Sequence, residues 1–365
     1  MKRISVFSRK FGPLDKKFAL KALRNNWISS NGPFSKKLEN FIKREFKTDY
    51  VSLVSSGTSA LECALKAINL KKGDEVIVPA FTIVSCLNTI LKFGAKPIIV
   101  DVKKETWLPS LDEILSKISK KTKAIIVVHI FGNVLNIPDL KKKISNKIKI
   151  IEDCAEAPFA KFKKKYVGTL GDLGTFSFYA NKTITSGEGG MVITRNKNFH
   201  KIIEKYKNLY FGDKNLKRFD HEDIGFNFRM TDLQAAVAYS QAINAKKNIL
   251  KMKKNVILYK KYLDKKSIEF QKIDNHVQNV WWMIAFVMKN KKSDDLIRFL
   301  NKKNIDSRKL FKPLNDLKYI KGKKQKCPNS KYLYDHGLYI PSGFDLTNNQ
   351  IKRVSKACNE FFKKR

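Results

Sequence analysis

The sequence predicts an α/β protein with a mixed, mostly parallel sheet and a second, smaller α/β domain towards its C-terminal end. Two observations support this prediction. Between residues 50 and 153, short β-forming runs alternate with helical segments, which is the pattern of parallel strands joined by helices. Beyond residue 265 the pattern changes to strand, helix, strand, and a chain of 365 residues is long enough for two domains. We place the domains at residues 1–245 and 246–365.

The chain begins with an arm of one or two predicted helices. Apolar residues recur at helical spacing over residues 14–23 and again over 34–46. A polar stretch that ends in Gly32 and Pro33 separates these segments and is typical of a loop. We therefore expect an N-terminal arm that belongs to the large domain.

The alternating region predicts a sheet of seven strands. Five strands are expected at 50–54, 75–79, 96–101, 123–129 and 148–153, with helices at 61–68, 84–91, 110–118 and 137–144. Two further strands, 174–179 and 190–194, should complete the sheet. A helix at 199–208 and an irregular stretch at 210–230 follow.

The remaining chain predicts a long helix and then the small domain. Thr231 is a suitable N-cap for a helix that should run with a break towards residue 263. The small domain should contain a strand at 280–288, a helix at 293–301 and a last helix at 348–362.

The charge of the chain is strongly positive, with 74 Lys and Arg against 33 Asp and Glu, a formal net charge of +41. Lysines are spread over the whole chain, and no RNA-binding aromatic signature or zinc-ligand spacing accompanies them. We therefore interpret the charge as compositional bias and expect no nucleic-acid partner. A positive field would still favour an anionic small substrate.

The five cysteines lie far apart without a C-x-x-C pair, which predicts free thiols in a reducing compartment. The longest apolar stretch, residues 124–131, is too short to span a bilayer and reads as a buried strand. The first residues lack the apolar run of a signal peptide. We expect a cytoplasmic protein with no membrane partner.

Candidate site residues follow the strand ends, where open parallel sheets bind their ligands. Ser55-Ser-Gly-Thr-Ser59 lies between a strand and a helix and could form an anion cup, or simply a capped turn. Asp153 ends a hydrophobic strand, with Glu156 shortly after it. The Asp153 carboxylate could face a protonated heterocyclic nitrogen or cap the segment that follows. No nucleotide-binding glycine motif accompanies these residues.

The stretch 175–190 contains a single lysine, Lys182, among small and polar residues before Gly-Glu-Gly-Gly. This lysine could be a solvated residue of a hairpin, or an amine that forms a Schiff base with a carbonyl cofactor. Ser177, earlier in the stretch, is a further candidate phosphate ligand. Asn227 and Arg229 could act at the site or order their turn. The five histidines show no metal-ligand spacing, so we expect no metal.

Several segments occur in the order of one family: S-S-G-T-S-A-L, I-E-D-C-A-E-A, G-D-L-G-T-F-S-F-Y-A-N-K-T-I-T-S-G-E-G-G and I-G-F-N-F-R-M-T-D-L-Q-A-A, with W-W-M at 281–283. The chain resembles the sugar-nucleotide aminotransferases of the DegT/StrS family from about Trp27 to its end. The resemblance implies the pyridoxal phosphate-dependent fold type I of aspartate aminotransferase. It also implies a homodimer, with the possibility of a tetramer, whose sites lie at the subunit interface.

The resemblance also implies a role for each matching residue. Lys182 would bind the cofactor as a Schiff base and move the proton in catalysis, and Asp153 would pair with the pyridine nitrogen. Glu156 would lie beside the ring hydroxyl. The cofactor phosphate would be held by Gly57, Thr58, Ser59, Ser177 and, from the neighbouring subunit, Asn227. Substrate contacts would come from Phe81, Arg229 and Asn315.

A lysine at position 182 implies transamination, because relatives that only remove a sugar hydroxyl have histidine there. The expected reaction takes an amino group from L-glutamate through pyridoxamine 5′-phosphate to a nucleotide-linked 4-keto-6-deoxyhexose. The products would be 2-oxoglutarate and a 4-amino-4,6-dideoxy sugar, GDP-perosamine first among them, for O-antigen and lipopolysaccharide biosynthesis. A UDP- or dTDP-linked keto sugar and a non-catalytic regulatory protein that binds the cofactor are the alternatives. Ile83 and Asn315 depart from the family's usual aromatic residue and histidine.

Overall fold

The computed structural model describes residues 2–212, 217–320 and 325–363. The helices are α1 Pro13–Arg24, α2 Pro33–Phe46, α3 Gly57–Ala67, α4 Val84–Lys92, α5 Leu111–Leu115, α6 Ile137–Lys143, α7 Lys197–Tyr206, α8 Asp232–Ile243, α9 Ala245–Tyr262, α10 Ser293–Lys302, α11 Pro328–His336 and α12 Asn348–Lys363. The strands are β1 Tyr50–Val54, β2 Glu75–Pro79, β3 Lys96–Val100, β4 Thr122–Val128, β5 Lys149–Asp153, β6 Lys161–Phe162, β7 Lys165–Tyr166, β8 Leu173–Ser177, β9 Gly190–Thr194, β10 Ile268–Phe270, β11 Val277–Gln278, β12 Ile284–Met288, β13 Arg308–Lys309 and β14 Gly337–Ile340.

The central sheet confirms the predicted mixed, mostly parallel architecture. Its seven strands lie in the order β1-β9-β8-β5-β4-β2-β3. Strand β9 pairs antiparallel with both of its neighbours, whereas β8, β5, β4, β2 and β3 pair parallel with one another. Strands β2, β8 and β9 are buried along their whole length, as expected for strands covered on both faces by helices.

The register of the sheet determines which side chains share an edge. Asp153 pairs with Thr175, and Ser177 pairs with Gly190, which in turn faces Val54. The carboxyl ends of β1, β5 and β8 therefore lie along one edge of the sheet. Residues that follow these three strands are brought together there although they are far apart in the sequence.

The N-terminal arm packs onto α8 through buried carboxylates. Asp232, at the start of α8, accepts hydrogen bonds from the backbone N–H groups of Phe34 and Ser35 at 3.2 and 2.7 Å. Gly32 permits this approach, because a Cβ atom there would lie 2.3 Å from the Asp232 Cγ. Asp15 of α1 accepts a hydrogen bond from Gln241 of α8 at 2.7 Å. The arm is thereby attached to the helix that follows the irregular stretch 210–230.

A second sheet, in the order β10-β12-β14-β13, lies towards the C-terminal end. Its hydrophobic core includes Met252 and Val256 of α9, whereas Ala245 at the start of α9 belongs to the core of the central sheet. The chain therefore passes from one core to the other within α9. Ile4, from the opposite end of the chain, also packs into the second core. The domain division at 245/246 stays a prediction.

Several element predictions differ from the structure. The expected strand 280–288 begins only at Ile284, because Trp281 has a positive φ of 54° that interrupts an extended run. The small sheet β11-β6-β7 was not predicted. Its hairpin turns at Lys163 and Lys164, both with positive φ, a conformation that sequences usually mark with Asn or Gly. Strands β10, β13 and β14 and helix α11 were also missed.

The predicted absence of a membrane span and of disulfides can be compared with the structure. Among the described residues, no helix is both long enough and apolar enough to cross a membrane. The five cysteines, all of which lie in the described ranges, are free and buried. The thiols therefore contribute to packing in the core.

Candidate active site

The start of α3 is a capped turn whose first backbone N–H groups stay open, which is the arrangement that the predicted anion cup would need. Ser56 is the N-cap, and its hydroxyl accepts the backbone N–H of Ser59 at 3.0 Å. Within the described chain, no hydrogen bond uses the backbone N–H groups of Gly57 and Thr58. Unsatisfied N–H groups and the positive end of the helix dipole attract an anion.

Gly57 is required by the close approach of β8. A Cβ atom at this position would lie 2.7 Å from the Ser177 Cβ and 3.2 Å from its Oγ. The Ser177 hydroxyl is therefore held against the start of α3, where it accepts the backbone N–H of Tyr179 at 3.3 Å. The Ser177 hydroxyl thus lies beside the start of α3 with its two open N–H groups, and this set of donors suits a phosphate.

The Ser59 side chain caps helix α3 and does not face the cavity, unlike that of its neighbour Thr58. Its hydroxyl donates to the Ser56 carbonyl at 2.8 Å and accepts the Ser56 backbone N–H at 2.9 Å, which completes a capping box. The side chain is buried and does not line the cavity described below. Ser59 therefore supports the cup from behind, and direct contact of its side chain with a phosphate stays a prediction.

Asp153 is held at the end of β5 by two contacts. The backbone N–H of Ala155 donates to Oδ1 at 3.0 Å, and the Cys86 thiol donates to Oδ2 at 3.1 Å. The first contact is the local capping that the sequence suggested, yet the carboxylate also lines the cavity. Asp153 is thus fixed in orientation while it remains able to interact with a ligand.

Burial shifts the pKa values of Lys182 and Glu156 in opposite directions. Burial raises the pKa of Glu156 to about 7, although nearby Lys182 and the Phe131 backbone N–H at 2.8 Å act in the other direction. Burial lowers the pKa of Lys182 from its usual value, and Glu156 and Asp153 partly oppose this. The neutral amine is the form of lysine that reacts with carbonyl groups, and a lowered pKa increases the share of this form at a given pH.

The backbone around Lys182 accepts hydrogen bonds from two side chains that are distant in the sequence. The Trp282 indole N–H donates to the Asn181 carbonyl at 2.9 Å. Arg9 of the N-terminal arm donates to the carbonyls of Lys182 and Thr183. Sequence reasoning assigned no role to Trp282 or Arg9, although the W-W-M segment entered the resemblance.

These residues line one cavity of about 370 Å³. Six of the predicted site residues are among its lining residues: Gly57, Thr58, Asp153, Glu156, Ser177 and Lys182. Ser56, which belongs to the candidate anion cup, also lines the cavity. Residues that the sequence did not single out complete the lining, and they are Leu61, Ser85, Ala155, Phe176, Tyr179, Asn181, Glu188, Trp282, Phe311 and Tyr339. Ile83 also lines the cavity and is 40% exposed, which places an aliphatic group where the resemblance implied an aromatic ring.

Besides Ser59, four predicted residues do not line the cavity. Phe81 is buried between the rings of Trp107 and Phe311. Asn315 is buried in a short turn. Two residues of the irregular stretch also lie outside the cavity lining: Asn227, which is exposed, and Arg229, which donates to the Asn208 side chain at 2.7 Å. Their substrate or cross-subunit contacts stay predictions.

The sequence profile of the DegT/DnrJ/EryC1/StrS aminotransferase family matches residues 13–359. The chain belongs to this family. Among curated relatives of the family, GDP-perosamine synthase of Escherichia coli is 36% identical over 99% of both chains. GDP-perosamine synthase of Vibrio cholerae is 33% identical over 98% of this chain and 99% of its own length. The resemblance inferred from the motifs is therefore confirmed.

The fold agrees with solved structures of aminotransferases. A sugar aminotransferase of Streptococcus pneumoniae in its PLP form superposes with a TM-score of 0.91 at 24% identity, over 98% of this chain and 99% of that chain. The predicted aminotransferase fold is confirmed by this likeness. The family membership also confirms that the protein is an aminotransferase.

Proposed function

We propose that this aminotransferase uses pyridoxal 5′-phosphate to transfer an amino group to the ketone of a nucleotide-linked 4-keto-6-deoxyhexose. One observation carries the proposal. An amine with a lowered pKa, Lys182, shares a cavity with the oriented carboxylate of Asp153 and the open N-terminus of α3. The full-length curated relatives named GDP-perosamine synthase support GDP as the nucleotide and perosamine as the amino sugar.

The donor set fits the cofactor. The close packing of Gly57 on Ser177, at 2.7 Å for an added Cβ, leaves the free N–H groups and the serine hydroxyl beside one another. Gly57, Thr58 and Ser177 would hold the phosphate, Asp153 the ring nitrogen and Glu156 the ring hydroxyl. When bound, pyridoxal phosphate supplies an electron sink that allows an amino group to leave one carbon and join another.

Lys182 performs the proton transfers in this proposal. Because burial lowers its pKa, more of this amine is neutral at a given pH than in an ordinary lysine, so it can take a proton from the donor carbon and return one to the sugar carbon. Asp153 orients the ring, and Cys86 and Ala155 each donate a hydrogen bond to one of its two oxygens.

The remaining parts of the proposal concern donor and assembly. L-Glutamate would supply the amino group and leave as 2-oxoglutarate, and the product would serve O-antigen biosynthesis in the cytoplasm. We also propose a homodimer, because Asn227 is exposed and does not line the cavity of its own chain. In a dimer this amide could reach the phosphate bound by the neighbouring subunit.

A substrate panel tests the proposed reaction. The protein is incubated with glutamate and the GDP-, UDP- and dTDP-linked 4-keto-6-deoxy sugars, and 2-oxoglutarate is measured. We expect turnover with the GDP-linked sugar. Turnover with only a UDP- or dTDP-linked sugar would keep the reaction and replace the nucleotide. A colourless protein without any spectral response to glutamate would favour the non-catalytic alternative.

A lysine variant tests the assignment of the amine. Lys182→Ala should abolish turnover and the visible absorbance of the cofactor-loaded protein, because no other amine is expected to replace it. Lys163→Ala, at an exposed hairpin turn, is the matched control and should behave as the wild type. Full activity of Lys182→Ala would exclude Lys182 as the catalytic amine.

A further inference from the structure

Trp282 contacts both the backbone and the side chain of the lysine segment. It lies just before β12, and only 5% of its surface is exposed. Its indole N–H donates to the Asn181 carbonyl at 2.9 Å. The Lys182 Nζ lies 3.7 Å from the centroid of the Trp282 ring. One side chain from the second half of the chain thus fixes the position of the lysine and faces its amine.

We propose that Trp282 is a positioning residue whose ring face holds the Lys182 ammonium whenever this amine is not bonded to a carbonyl group, while its indole N–H fixes the backbone before it. The proposal rests on the catalytic role proposed for Lys182. It assigns to Trp282 the task of keeping the free amine in place, so that the proton it carries stays close to the reacting carbon.

The Trp282 ring is the main neighbour of the Lys182 Nζ. None of the hydrogen bonds or ion pairs among the described residues involves Nζ, so the ring face is the partner that the structure gives this cation. Glu156 and Asp153 act on Lys182 over a longer range and favour its charged form. Other ionisable groups on the cavity wall are Glu188, Tyr179 and Tyr339. A desolvated cation over indole gains more from the ring than an exposed one does.

The ring and the exclusion of water have opposite effects on the amine. Removal of the ring face removes a contact that favours the ammonium, which lowers the pKa of Lys182. Entry of water into the vacated volume would relieve burial, which raises that pKa. The sign of the change in a Trp282 variant therefore distinguishes a ring that holds the cation from a ring that only fills space.

The test is competitive labelling of lysines in the full-length protein freed of cofactor. The protein reacts with a limiting amount of an amine-selective reagent over a range of pH, and peptide mass spectrometry gives the pKa of each lysine. In Trp282→Leu the pKa of Lys182 should fall by about 0.4 to 1.5, the range expected for a lost cation–π contact. Trp282→Phe keeps a ring and should show a smaller fall.

Trp281→Leu is the matched control, because the neighbouring Trp281 ring lies 4.8 Å from the Nζ of Lys260 and does not line the active-site cavity. This variant should change the pKa of Lys260 and leave the pKa of Lys182 unchanged. A thermal unfolding midpoint confirms that each variant is folded. An unchanged or raised pKa of Lys182 in folded Trp282→Leu would overturn the proposal. Labelling needs no turnover, so this result does not depend on whether the proposed reaction is correct.

Discussion

Gly57→Ala tests whether the close approach of α3 to β8 creates the phosphate site. The added Cβ would lie 2.7 Å from the Ser177 Cβ, whereas carbon atoms are comfortable at about 3.5 Å. The start of α3 must therefore move by about 0.8 Å. Since φ at this position is not in the left-handed region, alanine itself is not strained there, and the clash is the main effect.

The displacement should weaken cofactor binding more than it weakens the fold. A shift of about 0.8 Å takes an N–H···O contact from about 2.9 Å beyond hydrogen-bond range. A hydrogen bond to a charged group contributes about 1.5–3 kcal/mol, so losing one predicts affinity about 10- to 150-fold lower. The cost to the fold is about 1–3 kcal/mol for overpacking. The higher helix propensity of alanine offsets part of this cost.

The assay is a titration of cofactor-free protein with pyridoxal phosphate, followed by visible absorbance and by quenching of tryptophan fluorescence. The same substitution in a Ser177→Gly background is the control, because this background lacks both the Cβ and the Oγ that the new methyl would meet. There Gly57→Ala should cost little affinity. Unchanged affinity in the wild-type background, or an equal loss in both backgrounds, would refute the steric account.

Two further predictions concern buried carboxylates. The pKa of Glu156 rises from its ordinary value of 4.5 to about 7 in the folded protein. Between these two pH values the folded protein keeps a proton on Glu156 that the unfolded chain has lost. Stability should therefore fall as pH rises through this window, by as much as about 3 kcal/mol, and Glu156→Gln should remove most of that fall in urea unfolding; an unchanged pH profile would contradict the assignment. Glu152 accepts the backbone N–H groups of Gly168, Leu170 and Gly171 and contacts His129 Nε2 at 2.8 Å. Glu152→Gln should lower the free energy of unfolding by about 3–5 kcal/mol, and a loss below about 1 kcal/mol would show that the amide substitutes fully.

The part of the site that was predictable from sequence consists of residues next to strand ends. Asp153 closes an apolar strand, and Gly57 lies between a strand and a helix, so each carries a local signal of its position. Parallel pairing then brings these positions to one edge, since Asp153 faces Thr175 in the register of β5 and β8. Local pattern and one topological rule therefore indicated that the carboxylate and the start of α3 share one edge of the sheet, and the resemblance to the family added Lys182 to them.

The same patterns do not say where a side chain points. Ser59 and Thr58 look equivalent in the motif, yet the Ser59 hydroxyl completes the cap of its own helix and Thr58 lines the cavity. Phe81 follows a strand end as well, but its ring packs against the rings of Trp107 and Phe311 and does not line the cavity. These outcomes depend on side-chain rotation and on partners from other elements, which a linear pattern does not encode.

The environment of the Lys182 amine depends on contacts with residues that are distant in the sequence. Trp282 and Asn181 are 101 positions apart, and Arg9 and Lys182 are 173 positions apart. In a chain with 74 basic residues and 25 phenylalanines, a basic residue and an aromatic one could be paired in very many ways. The lysine itself was predictable from the resemblance to the family, although the surrounding sequence alone left a solvated lysine as an alternative. Its acidity was not, because burial and the facing ring arise only when the second sheet packs against the first. The reactivity of Lys182 is therefore a property of the tertiary structure, and substitutions at Trp282 should change it without altering any residue near Lys182 in the sequence.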